Sequence, residues 1–150
     1  MPKYSNTSAS KLATAHEDLQ TIFNEVIKWY DCTIVFGYRS PEVQKELYEQ
    51  GRSKPGKIVT YKDGYEKKSK HNYEPSLAVD AVPYFKESPH IRWNDIKSLY
   101  FFAGFVKGVA TKLYNEGKIN NKIRLGADWD SDNDVSEETF IDIVHFEIVN

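Results

Sequence analysis

The sequence predicts an α+β domain: a small antiparallel sheet with helices packed on it. Several segments carry apolar residues at helical spacing, and short runs rich in β-branched and aromatic residues read as strands. The chain has 150 residues, 40% of them hydrophobic, with three Trp, ten Tyr and eight Phe to fill a core. That length suits one domain spanning residues 1–150, and there are no repeats, low-complexity tracts or linkers to divide it.

The elements follow in order. Leu12, Leu19, Ile22, Phe23, Val26 and Tyr30 recur at helical spacing with charged residues between them, which predicts an amphipathic helix from about Ser10 to Tyr30. His16 lies within it as a packing or capping residue. Thr33 to Tyr38 reads as a buried strand. Ser40-Pro41 then supplies an N-cap and a first-turn proline for a helix through Val43 and Leu47, which Gly51 can end in a left-handed conformation. Residues 51–70 hold Pro55, Gly56, Gly64 and many lysines, and predict a long loop around a weak strand, Ile58 to Tyr61. Leu77 to Tyr84 is the next strand, ended by Pro83. Asn94-Asp95 caps a long helix carrying Ile96, Leu99, Phe102, Val106 and Leu113, closed by Gly117. Gly104 and Gly108, four apart on its face, predict close backbone packing. Ile123 to Asp128 and Val144 to Val149 are the last strands.

Composition excludes several functions. A net charge of −2 gives no field for nucleic acid or an anionic membrane surface. No apolar run approaches the ~20 residues that span a bilayer, and the N-terminus lacks the apolar core of a signal peptide. Stable membrane association is therefore not expected, and synthesis in the cytoplasm is. Cys32 is the one cysteine, so no intrachain disulfide or thiolate cluster forms, and its apolar neighbours predict a buried thiol.

Chemistry concentrates in two places. Asp80 lies amid Leu77, Ala78, Val79, Ala81 and Val82, where a bare charge is expensive and needs a cation, a proton or several hydrogen bonds. The same problem recurs where Asp142, His145 and Glu147 interrupt the apolar stretch from Phe140 to Val149. With His71, these positions supply two imidazoles and two carboxylates. Two histidine nitrogens and one carboxylate oxygen are a recurring ligand set for catalytic zinc, and the remaining carboxylate suits a base. One divalent ion would answer both burial problems; polar groups satisfying one another would also answer them.

Ser69-x-His71 with Ala78-Val79-Asp80, followed by Asp142-x-x-His145-Phe146-Glu147, resembles the zinc D,D-carboxypeptidase and L-alanyl-D-glutamate endopeptidase family. That family includes vancomycin-resistance dipeptidases and phage endolysins, on the fold shared with the Hedgehog signalling domain. Gly37-Tyr38-Arg39-Ser40-Pro41-Glu42-x-Gln44 resembles its upstream block, and Gly126-Ala127-Asp128-Trp129-Asp130 its penultimate strand and loop. One departure stands out: His71 and Asp80 are nine positions apart, where the usual pattern has seven. This longer form resembles phage-type members, and its extra residues fall in a loop.

The resemblance implies that His71, Asp80 and His145 bind Zn2+. It implies that Asp142 is the base that takes a proton from the attacking water and passes it to the leaving amine. Arg39 would hold the substrate carbonyl or the developing oxyanion. Ser69, Trp129 and Tyr73 are candidates for substrate contact, and Glu147 for a supporting role beside the ligands. The implied function is a phage or prophage endolysin, a monomer that hydrolyses the L-alanyl-D-glutamate bond of peptidoglycan stem peptides. It would be made in the host cytoplasm and reach the wall through a holin-type pore. The rivals are a D,D-carboxypeptidase that trims terminal D-alanine and a non-catalytic zinc domain that binds cell-wall peptides or a partner. Asp130, Asp132 and Asp134 have the alternate spacing of a calcium loop, but Val135 and Ile141 stand where its glycine and final glutamate would be, which favours a solvated surface loop. His90 is expected in an exposed loop.

Overall fold

Among the described residues the elements run α1 (Asn6–Leu12), α2 (Glu17–Val26), β1 (Cys32–Phe36), α3 (Pro41–Glu49), β2 (Ala78–Pro83), α4 (Ile96–Asn115), β3 (Lys122–Leu125) and β4 (His145–Val149). A 3-10 turn at Lys70–Asn72 precedes β2. This computed structural model describes residues 2–138 and 141–149, so Phe140 lies outside the described residues. The strands form one antiparallel sheet in the order β1-β2-β4-β3, as the α+β expectation requires.

Alternation along each strand gives the sheet two chemically distinct faces. Cys32, Ile34, Val79, Ala81, Phe146, Ile148 and Leu125 join Leu19, Ile22 and Phe23 of α2 and Phe102 and Val106 of α4 in the hydrophobic core. Phe146 anchors it, with its ring 5.5 Å from Phe23 and 6.2 Å from Phe102, both edge-on. The opposite face carries Asp80, His145, Glu147 and Arg124. Register aligns them in rows: Phe36 pairs with Asp80 and Asp80 with His145, while Ala78 and Arg124 both pair with Glu147. Residues directly opposite on one face approach closely enough to interact. The sheet thus places its polar residues together by pairing alone.

The helix signals act as read. Ser40 accepts from the Val43 amide at 3.2 Å with Pro41 in the first turn, and Asp95 accepts from the Ser98 amide at 3.2 Å. Gly51 and Gly117 have φ of 80° and 72° just past their helices. Cys32 is buried and free, as expected.

Three expectations fail. The helix expected from Ser10 to Tyr30 is two helices, because the backbone at 14–16 turns aside to pair with Ser76. The Ser76 amide donates to Thr14 O at 2.9 Å and the His16 amide to Ser76 O at 2.8 Å. His16 is a capping residue, its Nδ1 accepting from the Asp18 amide at 3.0 Å. Ile58 to Tyr61 is not a strand; side chains of Gln44, Gln50 and Arg52 bond Thr60, Lys57 and Lys62 in place of a ladder. Gly104 and Gly108 do not serve close packing, since a Cβ at either would meet nothing within 4 Å.

Candidate metal centre

The site is built where β2 and β4 pair. The 3-10 turn brings His71 to it: Ser69 Oγ accepts from the His71 amide at 3.2 Å, and Asn72 Oδ1 accepts from the Ser69 amide at 2.8 Å. Asn72 Nδ2 donates to Arg39 O at 2.9 Å, which ties this turn to the segment after β1. The extra residues between His71 and Asp80 form the turn into β2, where buried Ser76 Oγ donates to Ala78 O at 2.7 Å.

His71, Asp80 and His145 are buried, and their donor atoms all lie within 4.8 Å of one another. His71 Nε2 is 3.1 Å and His145 Nδ1 3.2 Å from the same oxygen, Asp80 Oδ1. The outer nitrogens are anchored as well. His71 Nδ1 donates to Gly37 O at 2.8 Å, and His145 Nε2 lies 2.9 Å from Glu147 Oε1. Glu147 in turn accepts from Arg124 Nη2 at 2.7 Å. An imidazole held by a carbonyl or carboxylate on its outer nitrogen is the arrangement that orients metal-binding histidines. With Nδ1 donating to Gly37 O, Nε2 is the His71 nitrogen left to face the carboxylate oxygen. Two nitrogens converging on one anionic oxygen need positive charge among them. This buried group can hold a metal ion.

Electrostatics agree. Burial opposes ionising Asp80, but the charge of His71 and the hydrogen bonds from both histidines hold its carboxyl well below the usual range. Burial likewise opposes a charge on His145, yet Asp80 and Glu147 hold its pKa up at about 10. Burial disfavours the Glu147 carboxylate too, but His145 and Arg124 outweigh it and bring the group down to about 2.

Asp142 behaves differently. It lies just before β4, outside the three-donor group, and lines the same cavity. Burial, reinforced by the neighbouring Asp80 charge, pushes its pKa up to about 6. Its backbone is fixed against Gly126: the Asp142 amide donates to Gly126 O at 2.9 Å and the Gly126 amide to His145 O at 2.8 Å. A Cβ at position 126 would collide with Asp142 O and crowd the His145 side chain, so this approach demands glycine.

Arg39 is buried beside the same carboxylate. Nη2 donates to Asp80 Oδ2 at 3.2 Å and Nη1 to Gln44 Oε1 at 2.9 Å, with the guanidinium 4.2 Å from the Phe36 ring centroid. Asp80 therefore turns one oxygen to the histidines and the other to Arg39. Asp128 does not pair with Arg39. Asp128 instead accepts from the Asn133 amide at 2.9 Å and lies 3.5 Å from Lys107 Nζ.

A cavity of about 680 Å³ opens over these groups, lined also by Ser69, Tyr73 and Trp129. The Trp129 ring lies 5.6 Å from that of His145, and Tyr73 is exposed at the mouth. Ser69 lines the cavity while its hydroxyl caps the turn that carries His71. Two contributors were not singled out from sequence. Gln44 is fully buried and links Arg39 to the loop wall through Thr60 Oγ1 at 3.2 Å and Lys62 O at 2.9 Å. Arg124 supports Glu147; the alternation of Lys122-Ile123-Arg124-Leu125 places it on the polar face, but its partner depends on strand order.

Outside the site, Asp128, Asp130 and Asp132 bring carboxylate oxygens within 4.8 Å of one another. Asp134 is turned away, with Oδ1 accepting from the Ser136 amide at 2.9 Å. His90 is exposed and stacks on Tyr84.

A family model described as phage L-alanyl-D-glutamate peptidase matches residues 1–149. The L-alanyl-D-glutamate peptidase of Escherichia phage T5 is 30% identical over 139 residues, covering 91% of this chain and 88% of that protein. The peptidoglycan L-alanyl-D-glutamate endopeptidase CwlK of Bacillus subtilis (strain 168) is 41% identical over 75 residues. That match takes in 50% of this chain and spans only 36% of the Bacillus protein. Among solved structures, the Serratia marcescens L-Ala D-Glu endopeptidase ChiX superposes with a TM-score of 0.60 at 16% identity, over 98% of this chain and 90% of that one. The LD-carboxypeptidase LdcB superposes with a TM-score of 0.51 at 21% identity, over 89% of this chain and 56% of that one. At such identities the two structures establish a shared fold.

Proposed function

The chain belongs to the phage L-alanyl-D-glutamate peptidase family, and from that premise we propose that it is a zinc-dependent endolysin cutting the L-alanyl-D-glutamate bond of peptidoglycan stem peptides. The observation that carries the reading is the convergence of His71 Nε2 and His145 Nδ1 on Asp80 Oδ1, with Asp142 beside them but outside the donor set.

The donor set fits zinc: two imidazole nitrogens and one carboxylate oxygen, buried, with their outer atoms anchored. His71, Asp80 and His145 would hold the ion, and Gly37 O and Glu147 would keep the imidazoles facing it. Bound there, zinc would acidify a water and polarise the scissile carbonyl. Asp142 takes the proton of the attacking water and hands that proton to the leaving nitrogen; its burial and the neighbouring Asp80 charge favour its taking up a proton. Arg39, fixed by Gln44 and Asp80, holds its donors ready for the negative charge that grows on the carbonyl oxygen. Trp129, Tyr73 and Ser69 flank the space the stem peptide would occupy.

Among the described residues no helix is long and apolar enough to cross a membrane. As an endolysin the protein would be made in the host cytoplasm and reach the wall through a hole opened by a second protein. A non-catalytic zinc domain would have no use for a carboxyl placed like that of Asp142. Digestion of purified peptidoglycan followed by mass analysis tests the activity. The expected product carries a new free amino group on D-glutamate; release of free D-alanine would establish the D,D-carboxypeptidase instead.

A further inference from the structure

The cavity over the proposed zinc site is also lined by lysines. Lys62, Lys68 and Lys70 line it, and among the described residues none of the three forms an ion pair. Lys70 Nζ donates to Ile148 O at 3.2 Å and Lys68 Nζ lies 5.3 Å from the Tyr73 ring centroid, contacts that hold each side chain without neutralising it. Among the described residues the acidic groups lining the cavity are Asp80, Asp142 and Glu147, and none of them is ion-paired with these lysines. Asp80 is taken by two histidines and Arg39, and Glu147 by His145 and Arg124. Three lysines lining one cavity without an ion-pair partner favour an anion arriving there.

The substrate class supplies such an anion. Cleavage on the amino side of a glutamate leaves an amine that belongs to that glutamate. A glutamate has two carboxyls, and the chain continues through no more than one of them. Unless it is amidated, the other remains ionised within a few bonds of the scissile nitrogen. Arg39 is assigned to the scissile carbonyl and Arg124 is paired with Glu147, so the lysines are the cations left to read it.

We propose that Lys62, Lys68 and Lys70 form a carboxylate-reading subsite that selects stem peptides whose glutamate keeps a free carboxyl beside the scissile bond over those amidated there. The inference rests on the endopeptidase reading and adds a substrate preference to it.

The test compares N-acetyl-L-Ala-γ-D-Glu-L-Lys with the same peptide carrying the glutamate α-carboxamide, assayed with the zinc-loaded enzyme. The wild-type protein should favour the carboxylate peptide in kcat/KM by about 10-fold, the scale of one charged hydrogen bond, with the difference mainly in KM. The ratio should shrink as ionic strength rises. In the double variant Lys62→Gln/Lys68→Gln it should fall towards one, whereas Lys28→Gln, on a helix-end pair with Glu25, should leave it unchanged. Thermal melts confirm that the variants are folded. Equal rates on both peptides, or a preference that persists in the double variant, would overturn the subsite alone. Cleavage of neither peptide would overturn the endopeptidase reading and the subsite with it.

Discussion

Replacing Arg39 by lysine separates a catalytic role from a structural one. The guanidinium makes two hydrogen bonds that fix its plane, 2.9 Å to Gln44 Oε1 and 3.2 Å to Asp80 Oδ2. Lysine keeps the charge but is shorter and has no planar fork, so it cannot span both partners. Gln44 is fully buried, and losing the donor to its oxygen should cost about 2 kcal/mol, or roughly 4–8 °C in Tm for a domain of this size. If Arg39 also stabilises charge on the scissile carbonyl, turnover by the folded enzyme should fall about 10²-fold, the scale of losing one oxyanion donor. Gln44→Met leaves the arginine in place but removes its Nη1 anchor, together with the Gln44 bonds to Thr60 and Lys62, so it should reduce turnover by a smaller factor. The assay is kcat on soluble stem peptide well below Tm, run beside thermal melts and zinc analysis. A lowered Tm with unaltered turnover in Arg39→Lys would refute the reasoning and leave Arg39 a structural partner of Asp80.

Further outcomes follow from the same geometry. Asp142→Ala should abolish hydrolysis while keeping nearly stoichiometric zinc, and His71→Ala should lose both; zinc loss in Asp142→Ala would mean that the two carboxylates have exchanged roles. A base works when ionised, so kcat/KM should rise with pH through the Asp142 pKa, about 6 in the metal-free protein and lower with a divalent ion nearby. A pH profile flat down to pH ~4, or still climbing above pH ~7.5, would remove Asp142 as that base. Burial pushes the Cys32 thiol up to about 12, so iodoacetamide should leave it unmodified in the native protein and label it only on unfolding.

Much of this was legible in the sequence because it depends on local rules. Ser40-Pro41 and Asp95 announce their helices through capping chemistry, and alternation along β2 puts Asp80 on the face opposite Val79 and Ala81. The interruption of an apolar run by Asp142, His145 and Glu147 marks a buried polar group that needs partners. Sequence could not supply contacts decided by pairing at long range. The break between α1 and α2 has no glycine or proline to signal it; it arises because Thr14 and His16 bond Ser76 across the fold. Ile58 to Tyr61 has strand-like residues but no strand beside it. Gly104 and Gly108 read as a packing pair, yet that face of α4 meets open space. Arg124 and Glu147 meet only because β3 lies next to β4, and the partner of Arg39 is Asp80 because β1 pairs with β2.

Crystals grown with zinc and measured at its absorption edge would locate the ion against His71, Asp80 and His145. The account predicts one anomalous peak ~2.0–2.2 Å from His71 Nε2, Asp80 Oδ1 and His145 Nδ1, with Asp142 outside the inner sphere and the fourth position open or filled by water. A peak elsewhere, a peak that includes Asp142 in place of Asp80, or Asp80 more than ~6 Å from both imidazoles with no ion between them would contradict it.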